Sequence, residues 1–239
     1  MQRRLEDPRA RERAVDFCSE WLHLDRLSYL QPSREHFPKW DSSLAVAMKE
    51  ETLRYFEEVV WNERKPMGEL LNARFTFLNE DLAEHYRISA ANLGSELVKV
   101  GLENAEGRGG ILTQGSLLTI GGEEASMVTR GLFVMNDLLR GVIKNPPPGL
   151  DTTPEESSAS HSRRDIAMER VASRSCGGCH AKFEPLAYGL EKFDGLGTYL
   201  TEDEHGNTLR EDGEILFPGE AEPVSYDSIE ALMDLLATS

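Results

Sequence analysis

The chain lacks the features that define several large classes of protein. Its 239 residues include only three cysteines, too few for a disulfide scaffold. No apolar run approaches the roughly 18 residues that span a bilayer, so no transmembrane segment is predicted. Lys and Arg number 26 against 42 Asp and Glu, a net charge of −16. This charge repels nucleic acid phosphates and favours cationic or neutral partners.

The N-terminus also lacks the apolar core of a signal peptide, because MQRRLEDPRARERAV is charged throughout. Hydrophobic residues nevertheless make up 39% of the chain, which is enough for a globular core.

Helical spacing of apolar residues predicts a mainly α fold with short extended segments. Asp7 and Pro8 are typical of a helix start, a second helix follows Pro38, and Asn79 and Ser126 are candidate N-caps. The other expected elements are helices over 166–175, 185–193 and 227–236, and extended segments at 96–102, 198–200 and 214–217.

A proline-rich stretch followed by small polar residues predicts an interdomain linker. NPPPG begins at residue 145, and DTTPEESSASHS follows it. The expected organisation is a helical domain over 1–144, a linker over 145–162 and a small domain over 163–239. A domain of about 75 residues has a marginal core, so a covalent or metal staple would help it fold.

The first domain offers no recognisable catalytic constellation, and no catalytic residue is predicted. Glu50 with Glu51, and Glu57 with Glu58, are neighbours on a helix, where adjacent side chains point apart. Both pairs are expected on a solvated face. Cys18 lies on an apolar stripe and is expected to be a buried hydrophobic residue.

One motif indicates a specific chemistry, the CGGCH sequence at 176–180. Its spacing is that of haem c attachment. Cys176 and Cys179 would form thioethers with the two vinyl groups, and His180 would be the proximal iron ligand. The two glycines impose little steric demand, so the turn can follow the porphyrin edge.

Two other site types share part of this pattern. A structural zinc takes four nitrogen or sulfur ligands, and the sequence has no second cysteine pair. A redox dithiol is expected between a strand and a helix, whereas SRRDIAMERVAS before the motif has helical character.

The distal iron ligand is left open by the sequence. Downstream candidates are Met233 and His205, and upstream candidates are Met168 and His161. Met233 also lies on an apolar helical stripe, where packing is the commoner role. An open distal face is the remaining alternative.

Several segments in fixed order resemble the planctomycete-type cytochrome c-like proteins, which join a helical domain of unknown function to a haem-bearing domain. In the first domain these are DSSLAVAMKEETLRYFEEVV, FTFLNEDLAEHY, RGGILTQGSLLTI and TRGLFVMNDLLRG, with NPPP after them. In the second they are CGGCHAKFEPLAYGLEKFDGLGTY and DGEILFPG. The resemblance covers residues 41–239.

This resemblance implies one covalent haem c and a cytochrome c-like fold for the second domain. It also implies electron transfer within a larger multidomain protein and a periplasmic or other extracytoplasmic location. Cys176 and Cys179 match the attachment cysteines, and His180 matches the proximal ligand. The stretch after the motif is expected to supply packing and turns beside the haem, through Pro185, Gly189, Glu191, Phe193, Asp194 and Gly197.

Three departures from the family pattern matter. Arg170 stands where family members often have His, so that position supplies no distal ligand here. Tyr188 replaces the usual Phe and adds a hydroxyl. Further N-terminal domains and a short segment after Ser239 are missing, so the chain is expected to be a fragment whose export signal lies upstream.

The leading functional hypothesis is an electron-transfer module whose partner is a redox protein or a neighbouring domain of the same precursor. A haem enzyme with an open distal face is one alternative. A binding or scaffold module, in which haem is a structural staple, is the other.

Overall fold

The computed structural model describes residues 7–149 and 152–238, and its fold is mainly α, as the sequence predicts. About 45% of the residues are helical and 9% lie in strands. The α-helices of the described part are α1 (Pro8–Trp21), α2 (Ser42–Glu57), α3 (Glu69–Asn72), α4 (Glu80–Tyr86), α5 (Gly115–Leu118), α6 (Met127–Phe133), α7 (Arg163–Ala172), α8 (Gly177–His180) and α9 (Ile229–Ala237).

Short 3₁₀ and π segments extend or connect these helices. The 3₁₀ segments are Leu24–Tyr29, Ile111–Thr113, Thr119–Gly121 and Glu184–Leu190, and the π segments are Glu58–Asn62 and Val134–Leu138. The strands are β1 (Phe75–Leu78), β2 (Val98–Gly101), β3 (Gly213–Ile215) and β4 (Val224–Tyr226).

The predicted N-caps are confirmed. The Asp7 carboxylate accepts the backbone N–H of Arg9 at 3.0 Å, and the side chain of Asn79 accepts that of Leu82 at 2.9 Å. Ser126 caps α6 in the same way. Each side chain satisfies a backbone donor that the first turn of a helix leaves free.

The extended segment expected at 96–102 contains β2, which pairs with β1 in an antiparallel ladder. The register places Phe75 opposite Gly101 and Leu78 opposite Val98. The sequence did not predict β1, because a run of four residues carries too little periodicity to be recognised.

The extended segments expected at 198–200 and 214–217 do not pair with each other. The second overlaps β3, which pairs with β4. The first is no regular strand and forms only an isolated bridge between Phe193 and Tyr199. Asp194 accounts for this, since its carboxylate accepts two backbone N–H groups and folds the chain into a tight turn.

One hydrophobic cluster contains side chains from both sides of the proposed linker. Leu112 and Phe133 belong to the first segment, and Phe183 and Leu232 to the second. A smaller cluster around Met48 lies within the first segment. Residues before and after the linker therefore share a core, and the domain boundary at 145–162 stays a prediction.

Arg130 joins the two segments through backbone carbonyls. It is 3% exposed, and its guanidinium donates to the carbonyls of Leu118, Leu190, Phe193 and Asp194 at 2.6–3.1 Å. Burial lowers the pKa of Arg130 to about 9. The four carbonyls satisfy the buried donors and tie α6 to the chain that follows the CGGCH motif.

Cys18 and Glu51 are both buried, although helical periodicity predicts burial only for Cys18. Cys18 is fully buried, as predicted, and burial raises the pKa of its thiol to about 12. The expectation for Glu51 is wrong, because Glu51 is 1% exposed while Glu50 is solvent-exposed. Partners distant in sequence surround the Glu51 carboxylate, and helical periodicity does not show them.

Candidate functional site

The CGGCH motif forms a single helical turn shortly after α7. The Cys176 carbonyl accepts the backbone N–H groups of Cys179 and His180, both at 3.1 Å. Because the two cysteines are three residues apart on this turn, they lie on the same face. Both thiols are free, with Cys176 half-buried and Cys179 exposed. The turn thus presents two accessible thiols side by side.

The two glycines of the motif have different surroundings. A Cβ on Gly177 would lie 2.1 Å from the carbonyl oxygen of Val171, whereas a Cβ on Gly178 would have nothing within 4 Å. Gly177 is therefore needed where the motif turn packs against the end of α7. Gly178 fits the simpler expectation of low steric demand.

His180 is held by a carboxylate one turn further along the chain. Its Nδ1 lies 3.0 Å from Oε2 of Glu184. The Glu184 side chain is fully buried, and the His180 side chain is 23% exposed. In residues 7–149 and 152–238 no protein hydrogen bond engages Nε2 of His180. The ring is thus fixed at one nitrogen and available at the other.

Arg170, in the last turn of α7, contacts the same carboxylate. Its Nε lies 3.2 and 3.1 Å from the two oxygens of Glu184, and its Nη2 also donates to Oε1. The hydrogen bond to Glu184 raises the pKa of Arg170. A buried carboxylate without such a partner would be strongly destabilising. Two elements, α7 and the 3₁₀ segment Glu184–Leu190, therefore position the acceptor for His180.

Phe183 links the motif to the first segment. Its ring centroid lies 4.9 Å from that of His180, and its side chain is 3% exposed. A Cβ on Gly131 of α6 would lie 2.2 Å from the Phe183 carbonyl oxygen. Only glycine at position 131 permits this close approach.

The stretch after the motif supplies packing and turns, as expected. Phe193 is fully buried, and Glu191 forms a buried ion pair with Arg164 at 2.8 Å. The Asp194 carboxylate accepts the backbone N–H of Thr198 and closes a turn that contains Gly197, whose φ is +91°. Positive φ at that position favours glycine.

The candidate distal ligands lie in unlike environments. Met233 is 1% exposed in α9, and its Cε lies 3.5 Å from the place that a Cβ on Gly109 would occupy. His205 lies in an exposed turn, where its backbone N–H is bonded to Asp203 at 2.9 Å. Met168 is half-exposed on α7. Met233 and His205 stay the predicted candidates for the distal ligand, with an open distal face as the alternative.

No group of three or more His, Cys, Asp or Glu side chains within residues 7–149 and 152–238 is arranged to hold a metal ion. In the same residues no helix is both long and apolar enough to cross a membrane.

Comparison with protein families gives two matches. Residues 1–88 match PSD4, a protein of unknown function (DUF1592), and residues 108–203 match PSCyt3, a protein of unknown function (DUF1588). Both families are found in planctomycete-type cytochrome c proteins. The second match contains the whole CGGCH motif and also crosses the proposed linker. Searches of curated proteins and of solved structures gave no significant match.

Glu184 is a member of the site that the sequence did not predict. The available signal was its position four residues after His180, a spacing that brings side chains together in a helical segment. The sequence could not show that this carboxylate is buried or that Arg170 reaches it from α7. The family pattern marks position 170 only by its lack of a histidine, whereas Arg170 forms an ion pair with Glu184 beside the motif.

Proposed function

We propose that the chain binds one haem c covalently and carries electrons within a larger multidomain protein. Cys176 and Cys179 are the attachment residues, and His180 is the proximal ligand. One observation carries the proposal. The same turn bears two accessible thiols and an imidazole whose Nδ1 faces a buried carboxylate, while Nε2 makes no bond in the described chain.

The donor set fits the group. Each thiol adds across a vinyl group, so that sulfur bonds to one carbon and the thiol hydrogen passes to the other. No oxidant or reductant is needed for this addition. His180 offers Nε2 because Glu184 occupies Nδ1, which is the usual arrangement of a metal-bound histidine. Haem supplies a one-electron iron couple when bound.

The family matches support this proposal without naming an activity. PSCyt3 covers the motif, and both matched families occur in planctomycete-type cytochrome c proteins. The proposed location is the periplasm or another extracytoplasmic compartment, and the proposed partner is a redox protein or a neighbouring domain of the same precursor. Fractionation of the native host with an antibody to this chain tests the location, and recovery from the cytoplasm would contradict it.

Co-expression of the chain with the haem c attachment machinery tests haem binding. Wild type should keep one haem by mass after denaturation. Cys176→Ser and Cys179→Ser should each lose one thioether, and the double variant should keep none. Cys18→Ala is the matched control, because Cys18 is a third thiol that is fully buried. A denatured wild type without covalent haem would overturn the proposal.

The coordination of the matured protein separates electron transfer from the enzyme alternative. A six-coordinate spectrum in both oxidation states, lost in either Met233→Leu or His205→Gln, supports electron transfer and identifies the distal ligand. Rapid binding of carbon monoxide by the reduced protein would instead favour an open distal face.

A further inference from the structure

The hydrogen-bond partner of His180 is the carboxylate of Glu184, and this carboxylate is buried. Many histidine ligands donate to a neutral backbone carbonyl, which brings no charge into the protein. Here the acceptor is the fully buried side chain of Glu184. Desolvation of a carboxylate is costly unless it is paired. Arg170 provides the pairing, because its Nε and Nη2 reach both oxygens of the Glu184 carboxylate.

The hydrogen bond decides which nitrogen of His180 carries the proton. Arg170 has only donors, and it contacts both oxygens of Glu184, so these oxygens act as acceptors. The 3.0 Å contact with Glu184 Oε2 therefore places the hydrogen on Nδ1 of His180. The Nε2 lone pair is then free for a metal ion in the neutral ring.

The charge of the acceptor also changes the strength of the ligand. A hydrogen bond to an ionised acceptor is about twice as strong as one between neutral groups. It shifts electron density into the imidazole and makes Nε2 more basic. A more basic axial ligand stabilises the oxidised iron and lowers the reduction potential. Arg170 shares the carboxylate and limits this shift.

We propose that Glu184, held by Arg170, is a positioning residue that fixes the Nδ1–H tautomer of His180 and lowers the reduction potential of the bound haem. The part concerning the potential rests on the proposed function. The part concerning the tautomer does not, because it is a property of the protein without haem.

The matured protein tests the effect on the iron. Glu184→Gln keeps a neutral acceptor of the same length, so the reduction potential should rise. Glu191→Gln is the matched control, because Glu191 and Arg164 form another buried ion pair, at 2.8 Å. It should reduce stability without moving the potential. An unchanged potential in Glu184→Gln, or an equal shift in both variants, would overturn the proposal.

Nitrogen-15 NMR of His180 in the haem-free chain tests the tautomer without any substitution. At a pH at which the ring carries a single proton, the wild type should carry it on Nδ1, and Glu184→Ala should move protons to Nε2. A wild-type proton on Nε2 would contradict the tautomer assignment. If the matured wild type carries no thioether haem, the proposed function fails, and the NMR result still stands as a separate test of Glu184.

Discussion

Tyr86 donates a hydrogen bond to the buried carboxylate of Glu51, with 2.6 Å between Oη and Oε2. Thr76 donates to the other oxygen, Oε1, at 2.5 Å. Burial nevertheless dominates and raises the pKa of Glu51 to about 7, even though both hydrogen bonds and the nearby Arg108 act to lower it. The folded protein thus holds a proton that the unfolded chain releases above its ordinary pKa of 4.5.

This difference predicts a pH dependence of stability. Below pH 4.5 Glu51 is protonated in both states, and its contribution is fully present. As the pH rises from 4.5 to about 7, the unfolded state loses the proton first, so the free energy of unfolding falls. The loss is about 3–4 kcal/mol, since each pKa unit corresponds to about 1.4 kcal/mol. Glu51→Gln should abolish this fall in the free energy of unfolding. Urea unfolding at a series of pH values measures it.

Glu50→Gln is the control for that experiment. Its side chain is 52% exposed on the same helix and lies 3.8 Å from Arg54, so the slope of stability with pH should match that of wild type. A Glu51→Gln variant with the wild-type slope between pH 4.5 and 7 would show that Glu51 does not hold the proton.

Arg130→Met should destabilise the whole chain. The substitution leaves the buried carbonyls that Arg130 satisfies without donors, and hydrogen bonds to a charged group are worth about 1.5–3 kcal/mol each. We expect a loss of at least about 3 kcal/mol in chemical denaturation. Arg163→Met, which removes the more exposed pairs with Glu124 and Glu204, should cost less than about 1 kcal/mol. Equal losses would argue against the special role of Arg130.

The two motif glycines should respond differently to alanine. Gly177→Ala drives a Cβ against the Val171 carbonyl, and such overpacking costs about 1–3 kcal/mol. It should also lower the yield of attached haem. Gly178→Ala meets no atom within 4 Å and should behave as wild type. Thermal melting and haem yield check both, and identical results for the two variants would refute the steric argument.

Tyr188→Phe should be neutral or stabilising, by up to about 1 kcal/mol. The Tyr188 hydroxyl is buried and has no hydrogen-bond partner in the described structure, while its ring keeps the 4.0 Å contact with the Arg164 guanidinium. Tyr226→Phe is the contrast, because that hydroxyl donates to Pro185 at 2.7 Å and accepts from Gly189 at 3.1 Å. It should cost about 1–2 kcal/mol. A larger loss for Tyr188→Phe than for Tyr226→Phe in urea unfolding would contradict both assignments.

Local chemistry was enough to predict much of this protein. The side chains of Asp7, Asn79 and Ser126 bond to backbone groups only two or three residues away, so the sequence shows where those helices begin. The mainly α class follows from apolar spacing in the same way. The CGGCH motif is likewise a matter of spacing, and its three chemical groups lie on one turn.

Tertiary structure decided what depended on distant residues. Only the folded chain brings Thr76 and Tyr86 to Glu51, pairs β3 with β4, and carries Arg170 of α7 to Glu184 beside His180. Burial reverses the behaviour expected of a helix-surface glutamate, because the cost of desolvation depends on surroundings that a local sequence window does not contain. The sequence alone indicated Cys176, Cys179 and His180 as the candidates for haem binding, and the fold decided which nitrogen of His180 faces the buried carboxylate.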